Sequence, residues 1–505
     1  MQAQRKKTVQ ALQQAPLDLL VIGGGIVGSG IARDAALRGL RVGLIEQKDF
    51  AFGTSSRSSR LLHGGMRYLA QGRIGLVREA SIEKKIVHHI APHLAQPLPF
   101  IFPTYRGDKD WVLWQLKLGV KIYDLLCGGR NLGQSTWLKS EEVSRLVPDL
   151  KSAGLNGAVR YFDGFTNDAR LVLDTLRSAS AAGALLTNYC RFDDASPGEN
   201  WSCKVEDTLT GVKSLIHTRA IVNATGPWAD HLPHSRVQLR LTKGVHMVVN
   251  RSRIPVPDTV VMTEGKRILF AIPWGERTIL GTTDTDYDGQ TDDVRAEPND
   301  IAYLLKVTNS FFPGAYLAVE DVISSWAGLR PLIADPNGKP SDISRSHQIR
   351  NPEAGWWDVA GGKLTTYRLM AEQTVDRIAK WLKSNGTTAQ VAPCRTAKEP
   401  LLPVDQVKDV SGILPPEFSR RAVEHYCDRE WAIHLDDVML RRTSWHYYFP
   451  KTEEKAMRVA DWMGELLGWS TADREAELKH YHQKTALEFS ASKSDAIISR
   501  SLCVP

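Results

Sequence analysis

Hydrophobic positions fall in short blocks along this chain, and the first block is the most informative. Leu19-Leu-Val-Ile22 is a continuous apolar run that passes directly into glycines and then into small residues at helical spacing as far as Ala32, which predicts strand, tight turn and helix. Gly23, Gly25 and Gly28 have the G-x-G-x-x-G spacing of a dinucleotide fold: one for the turn, one for close approach to a pyrophosphate, one for packing helix on sheet. The helix start directs free N–H groups at an anion. A second predicted strand, Leu40 to Ile45, ends at Glu46, where a dinucleotide's ribose hydroxyl needs an acceptor and where the 2′-phosphate of NADP would be repelled.

The apolar pattern then breaks. Residues 47–69 are rich in hydroxyls and glycine, too polar for a core strand, and are expected to wrap a ligand. Thr54, Ser55, Ser56, Ser58 and Ser59 suit phosphate oxygens, and His63-Gly64-Gly65 lets backbone touch something flat; a solvated serine loop is the plain alternative. Helical spacing returns from Arg73 to His93, with Pro92 as the stop. Trp111 to Leu126 reads as an amphipathic helix; such a stripe is more often packed on a sheet, although its tryptophans and lysines also suit a lipid headgroup level. Gly157 to Leu173 predicts strand, turn and a helix capped near Asn167 or Asp168. The strand ending at Ala224-Thr-Gly226 has the small residues of a sheet edge beside a dinucleotide.

From Val237 to about Arg345 short alternating runs predict a second, β-rich domain. Trp357 to Arg368 returns to strand, glycine turn and helix start, with Gly362, Lys363, Leu364 and Thr365 at the turn, and a proline-containing hinge leads to a helical C-terminal region. The expected architecture is α/β: a Rossmann-like dinucleotide domain (17–95 with 150–235 and 345–385), a β-rich substrate or cap domain (96–149 with 236–344) and a C-terminal helical domain (390–505).

The 505 residues exceed one comfortable core, which agrees with this division. A formal charge of +7 is mild for the length; it suits attraction of an anionic substrate or of lipid headgroups, and no nucleic-acid motif accompanies it. Six cysteines without a C-x-x-C suit reduced thiols, and no metal site is read from His88, His89 and His93 or from the Asp284–Gly289 turn. The polar residues before the first strand read as a frayed tail, with no apolar leader.

These blocks together resemble the FAD-dependent glycerol-3-phosphate dehydrogenases of the D-amino-acid-oxidase-like flavoprotein superfamily. The matching stretches are Ile22–Gly28, Thr54-Ser-Ser through His63–Tyr68, Asn223–Trp228, Lys243-Gly-Val-His246, Gly281-Thr-Thr-Asp284, Gly328-Leu-Arg330 to Leu332 and Gly361–Arg368. Asp436–Thr443 is similar to the signature of the family's C-terminal domain. Arg60 departs from the pattern, standing where bacterial relatives commonly carry lysine.

The resemblance implies oxidation of sn-glycerol 3-phosphate to dihydroxyacetone phosphate by hydride transfer from C2 to flavin N5. Electrons then pass to a membrane quinone from a protein bound peripherally at the cytoplasmic face, with a homodimer left open. It implies His246 as base with His63 as rival, and Arg330, Arg345, Arg67 and Tyr68 as the phosphate pocket. FAD would lie against Gly23, Gly25, Gly28, Glu46, Thr54, Ser55, Ser56, His63, Gly64, Gly65, Ala224, Gly226, Gly362, Lys363, Leu364 and Thr365. An oxygen-using oxidase, an amino-acid oxidase of the same superfamily and a flavin-binding module without turnover are the alternatives.

Overall fold

A computed structural model describes residues 2–65, 69, 72–128, 131–334, 347–386 and 390–486. The first sheet has β1 (Leu17–Ile22), β2 (Val42–Ile45), β7 (Leu185–Thr187), β8 (Cys190–Ser196), β9 (Trp201–Asp207), β10 (Lys213–Asn223), β17 (His347–Glu353) and β18 (Trp356–Gly361). Its centre, in the order β18-β10-β1-β2-β7, is parallel throughout. Leu19, Leu20 and Val21 are fully buried, because helices cover one face and the β8–β9 layer the other; hence their unbroken apolar run. The helices on the first face are α2 (Ile26–Leu37), α6 (Asp168–Ala181) and α8 (Tyr367–Ser384), while α1 (Gln2–Gln14) packs on the β8–β9 side. Asn167 caps α6 by accepting the Arg170 N–H, as the sequence predicts.

The second sheet is largely antiparallel. It comprises β3 (Leu61–Leu62), β4 (Gln96–Tyr105), β5 (Thr136–Leu138), β6 (Leu155–Phe165), β11 (Leu239–Asn250), β12 (Thr259–Glu264), β13 (Arg267–Trp274), β14 (Arg277–Gly281), β15 (Thr285–Asp286) and β16 (Val322–Ile333). Helices α4 (Leu113–Leu126), α5 (Ser140–Leu146) and α7 (Pro298–Phe311) pack on it, and α3 (Ile74–Ile90) contributes Val77 to its core and Val87 and Ile90 to that of the first sheet. The C-terminal part holds α9 (Val404–Val407), α10 (Arg420–Arg429), α11 (Trp445–Tyr448), α12 (Glu453–Leu467) and α13 (Thr471–Ala486), packed around Val423, Tyr426, Trp445 and Val459.

Two expectations need correction. The N-terminal residues are not a frayed tail: α1 buries Leu12 in the space a side chain at Gly43 would fill, and Arg5 donates to the carbonyls of Asn188 and Tyr189. Residues 155–165, grouped by sequence with the dinucleotide domain, form β6 of the second sheet, paired along their length with β4.

The C-terminal helices are joined to the rest by buried charge. Arg170 on α6 places Nη1 at 2.5 Å and Nη2 at 2.9 Å from the two oxygens of Glu430. Burial opposes ionisation of Glu430, but the Arg170 charge and its hydrogen bonds outweigh it and hold the carboxyl well below the carboxylate range. Glu430→Ala leaves buried Arg170 with Asp174 as its one remaining carboxylate among the described residues and should cost about 3–5 kcal/mol, read as a lower urea midpoint. Because the folded value is depressed, this pair's contribution is complete above the unfolded value near 4.5 and fades as pH falls below it. The wild type should therefore lose stability more steeply than Glu430→Gln on acidification.

Candidate active site

The carboxyl ends of β1, β2, β10 and β18 face β11 and β16 across a cavity of about 580 Å3. Gly23 turns the chain at φ +107°, and a Cβ there would stand 2.6 Å from the Ala224 carbonyl oxygen. A Cβ on Gly28 would stand 1.9 Å from the Gly23 carbonyl oxygen, so Gly28 acts by letting α2 close on β1 and does not itself line the cavity. Gly25 is the N-cap of α2 and makes no side-chain cap, so the positive end of the helix opens on the cavity; Ser55 Oγ accepts the Ile26 N–H at 3.0 Å. Glu46 accepts the Gly24 N–H at 2.8 Å on one oxygen and the Lys48 N–H at 2.9 Å on the other, which aims its carboxyl at the turn. Burial raises its proton affinity; these two donors oppose that.

The hydroxyl-rich segment lines the cavity with Thr54 and Ser55, but its side chains serve the protein more than the sequence implies. Thr54 Oγ1 donates to the Leu329 carbonyl at 2.7 Å, stitching the segment to β16. Ser56 turns back on the Gly53 carbonyl and does not line the cavity. Gly64 and Gly65 also stand off it. The Gly64 N–H donates to Tyr123 Oη at 2.9 Å, inside a buried cluster with Asp163 and Lys84. His63 does line it, fixed by exchange with Thr365, whose Oγ1 accepts the His63 N–H at 3.0 Å and donates to its carbonyl at 3.2 Å. Ala224, Gly226, Gly362, Lys363, Leu364 and Thr365 complete this side, with Gly362 at φ +82°.

The opposite wall is set by strand register. Thr242, Gly244 and His246 of β11 stand beside Arg330, Gly328 and Trp326 of β16, all on one sheet face because side chains alternate. The two glycines leave a gap between the charged and aromatic ends. A Cβ on Gly244 would lie 2.5 Å from Arg330 Nη2, so the guanidinium spreads over that glycine. Asp284 at 3.1 Å and Thr282 Oγ1 at 3.2 Å hold it there. The His246 ring stacks on Trp326, centroids 5.3 Å apart, and its other flank meets Gly281, where a Cβ would lie 2.3 Å from Cδ2. Ser59 Oγ lies 2.7 Å from Nε2.

His246 and His63 thus both reach the cavity, together with Arg330. Arg67, Tyr68 and Arg345, assigned by the resemblance to the same pocket, lie outside the described residues. Sequence reasoning missed Trp326 as the platform for His246 and Asp284 as the partner of Arg330. Each lies in or beside a motif already noted, and only cross-strand register shows which side chain it meets. Arg60 is buried between Trp274 at 4.4 Å and Trp326 at 5.3 Å.

Burial, then the cations of Arg330 and Arg60, push the His246 imidazole down to about 3. It is therefore neutral at physiological pH, and an NMR titration of the ligand-free protein should find no protonation of this ring above about pH 5. Gly281→Ala should drive the ring off Trp326, visible as a displaced imidazole in a crystal structure of the variant.

The donor set fits FAD: a glycine turn beneath a helix N-terminus for a pyrophosphate, Glu46 for a ribose, and backbone exposed at Gly362 for a planar ring. Comparison with known proteins agrees. Residues 18–377 match the FAD dependent oxidoreductase family, and residues 367–474 match the C-terminal domain of alpha-glycerophosphate oxidase. A glycerol-3-phosphate dehydrogenase of Mycobacterium leprae is 35% identical, covering 93% of this chain and 88% of its own length. An alpha-glycerophosphate oxidase of Streptococcus pyogenes is 37% identical over 75% of this chain and 73% of its own. The crystal structure of a Bacillus halodurans glycerol-3-phosphate dehydrogenase complexed with FAD superposes with a TM-score of 0.77 at 29% identity, covering 96% of this chain and 97% of that one. The chain belongs to the FAD-dependent oxidoreductases and, within them, to the glycerol-3-phosphate dehydrogenases.

Proposed function

We propose that this enzyme oxidises sn-glycerol 3-phosphate to dihydroxyacetone phosphate and passes the electrons to a membrane quinone. The observation that carries the reading is the pairing, on one sheet face, of Arg330 with His246 across the Gly244–Gly328 gap, opposite the Gly23 turn. Bound FAD supplies the acceptor for the C2 hydride. Arg330 takes the phosphate, because a guanidinium presents paired donors to phosphate oxygens. His246 takes the C2 hydroxyl proton on an imidazole nitrogen that its surroundings keep neutral. The imidazolium so formed is disfavoured by Arg330 and Arg60; a dianionic phosphate seated on Arg330 offsets that charge, so substrate recognition and base strength act together. Lys363 and the N–H groups after Gly362 are the positive partners we assign to the flavin's N1–C2 carbonyl edge. His63, tied to Thr365 through its backbone, is the alternative base.

The membrane half of the proposal rests on α4. Leu116, Val120 and Tyr123 bury its inner face, while Trp114 is 63% and Leu125 73% exposed, with Leu118 between them and Trp137 alongside. Lys117 and Lys121 approach the Trp137 ring at 5.4 and 5.7 Å. Exposed aromatics and aliphatics beside lysines fit the headgroup layer of an anionic bilayer. No helix among the described residues is long and apolar enough to cross a membrane.

His246→Gln should lower kcat by about 10²–10⁴-fold while FAD stays bound, and Arg330→Ala should raise KM for glycerol 3-phosphate about 10–100-fold with kcat less affected. Unchanged kcat in the first variant would remove His246 as base, leaving His63→Gln to be tested. Trp114→Ser/Leu125→Ser should reduce co-sedimentation with phosphatidylglycerol vesicles and leave glycerol 3-phosphate oxidation with a soluble dye unaltered. The acceptor is decided by timing reoxidation of anaerobically reduced enzyme: faster with quinone than with dissolved oxygen on the dehydrogenase reading, the reverse for an oxidase.

A further inference from the structure

The Asp436–Thr443 segment takes no part in the chemistry above, yet it holds a dense cluster of buried charge. Asp437–Arg442 winds as a π-helix, which brings Arg441 and Arg442 together onto Asp49, a fully buried residue just beyond Glu46. Arg441 Nε donates to Asp49 Oδ2 at 2.5 Å and Arg442 Nη2 to Oδ1 at 2.8 Å, with Arg442 Nη1 also on Oδ2. Arg441 is held in turn by Asp436 at 2.8 Å and Asp437 at 2.5 Å, and Arg442 by the Glu430 carbonyl at 2.7 Å. Burial opposes a charge on Asp49, but the two arginines outweigh it and keep the carboxyl below its ordinary value.

The loop that carries Asp49 is the one that aims Glu46. Asn188 Nδ2 donates both to Asp49 Oδ1 at 3.0 Å and to the Trp431 carbonyl at 2.9 Å, and Phe50 meets the Trp431 ring edge-on at 5.3 Å. Phe50 packs where a Cβ on Gly24 would stand, and the Ala51 N–H donates to the Gly24 carbonyl at 3.0 Å. The Gly24 N–H then donates to Glu46. A continuous set of contacts therefore runs from the C-terminal helices to the glycine turn and to Glu46. Buried ion pairs are weak evidence for added stability, since apolar residues of like volume often serve as well; what their directed hydrogen bonds fix is position.

We propose that the C-terminal helical domain is a cofactor clamp. Arg441 and Arg442, acting through Asp49, are positioning residues that hold the 46–53 loop in the form in which Glu46 receives the FAD ribose, so this domain sets how firmly FAD is retained and not how the alcohol is oxidised. The inference rests on the reading of Glu46 as ribose acceptor. A loop competent for only a fraction of the time weakens apparent affinity by that fraction.

Arg442→Met and the milder Asn188→Ala test it on the full-length holoenzyme, and Asn188→Ala decides alone if the first does not fold. The clamp predicts FAD dissociation faster by about tenfold or more in Arg442→Met and by a smaller factor in Asn188→Ala. KM for glycerol 3-phosphate at saturating FAD should stay within about twofold, and Tm should fall more for holoenzyme than for apoenzyme. Equal losses of Tm in both forms with unchanged FAD release would show the arginines to be merely structural and overturn the proposal. Glu46→Ala is measured in parallel. Unaltered FAD release there removes the ribose reading and the clamp with it; faster release there without any change in the other two variants leaves that reading standing and overturns the clamp alone.

Discussion

The absence of a side chain at Gly28 is the constraint on which the rest depends. With the Gly23 carbonyl oxygen 1.9 Å from where its Cβ would be, any other residue would push α2 off β1. The N-terminus of α2 would then no longer open on the cavity, and the Gly24 N–H would leave Glu46. Gly23 repeats the constraint against Ala224, so the strands beneath the cavity are locked by backbone contact, without side chains between them. What the cavity presents at this end is backbone donors, a helix end and one anchored carboxyl group, a set suited to a dinucleotide.

The facing wall applies the same economy in a β-sheet. Glycines at 244, 281 and 328 are where side chains or backbone of neighbours come too close for a Cβ: the Arg330 guanidinium, the His246 ring and the Arg57 carbonyl respectively. Each polar group is thereby pressed into one position on the sheet face. His246 gains a flat platform on Trp326, and Arg330 gains Asp284, so cation and imidazole are set by packing before any substrate arrives.

How much of this was legible in sequence follows from how local each interaction is. The first strand, its glycines and Glu46 lie within one βαβ unit, and spacing alone places them. His246 and Arg330 were reachable through their motifs, but which residues they touch depends on β11 pairing with β16 across a long intervening segment, and no periodicity encodes register. The strand at β6 was legible, but the same non-locality hid its sheet, because it pairs with β4 and not with the Rossmann strands. A single buried leucine in a polar stretch gives no period, so α1 read as a tail. Asp49 and Arg442 are 393 positions apart; an aspartate after a strand and an arginine pair in a helix are individually ordinary, and only the fold makes them partners.

On the function proposed above, the cofactor wall, the substrate wall and the C-terminal arginines form one device, in which a flavin seated on backbone faces an alcohol held by its phosphate. The most direct measurement is the anaerobic visible spectrum of the purified protein before and after glycerol 3-phosphate is added. The account predicts a yellow protein whose flavin absorbance bleaches with glycerol 3-phosphate and persists with glycerol or amino acids. A folded protein that takes up no FAD, or whose flavin is bleached by an amino acid and not by glycerol 3-phosphate, would contradict it.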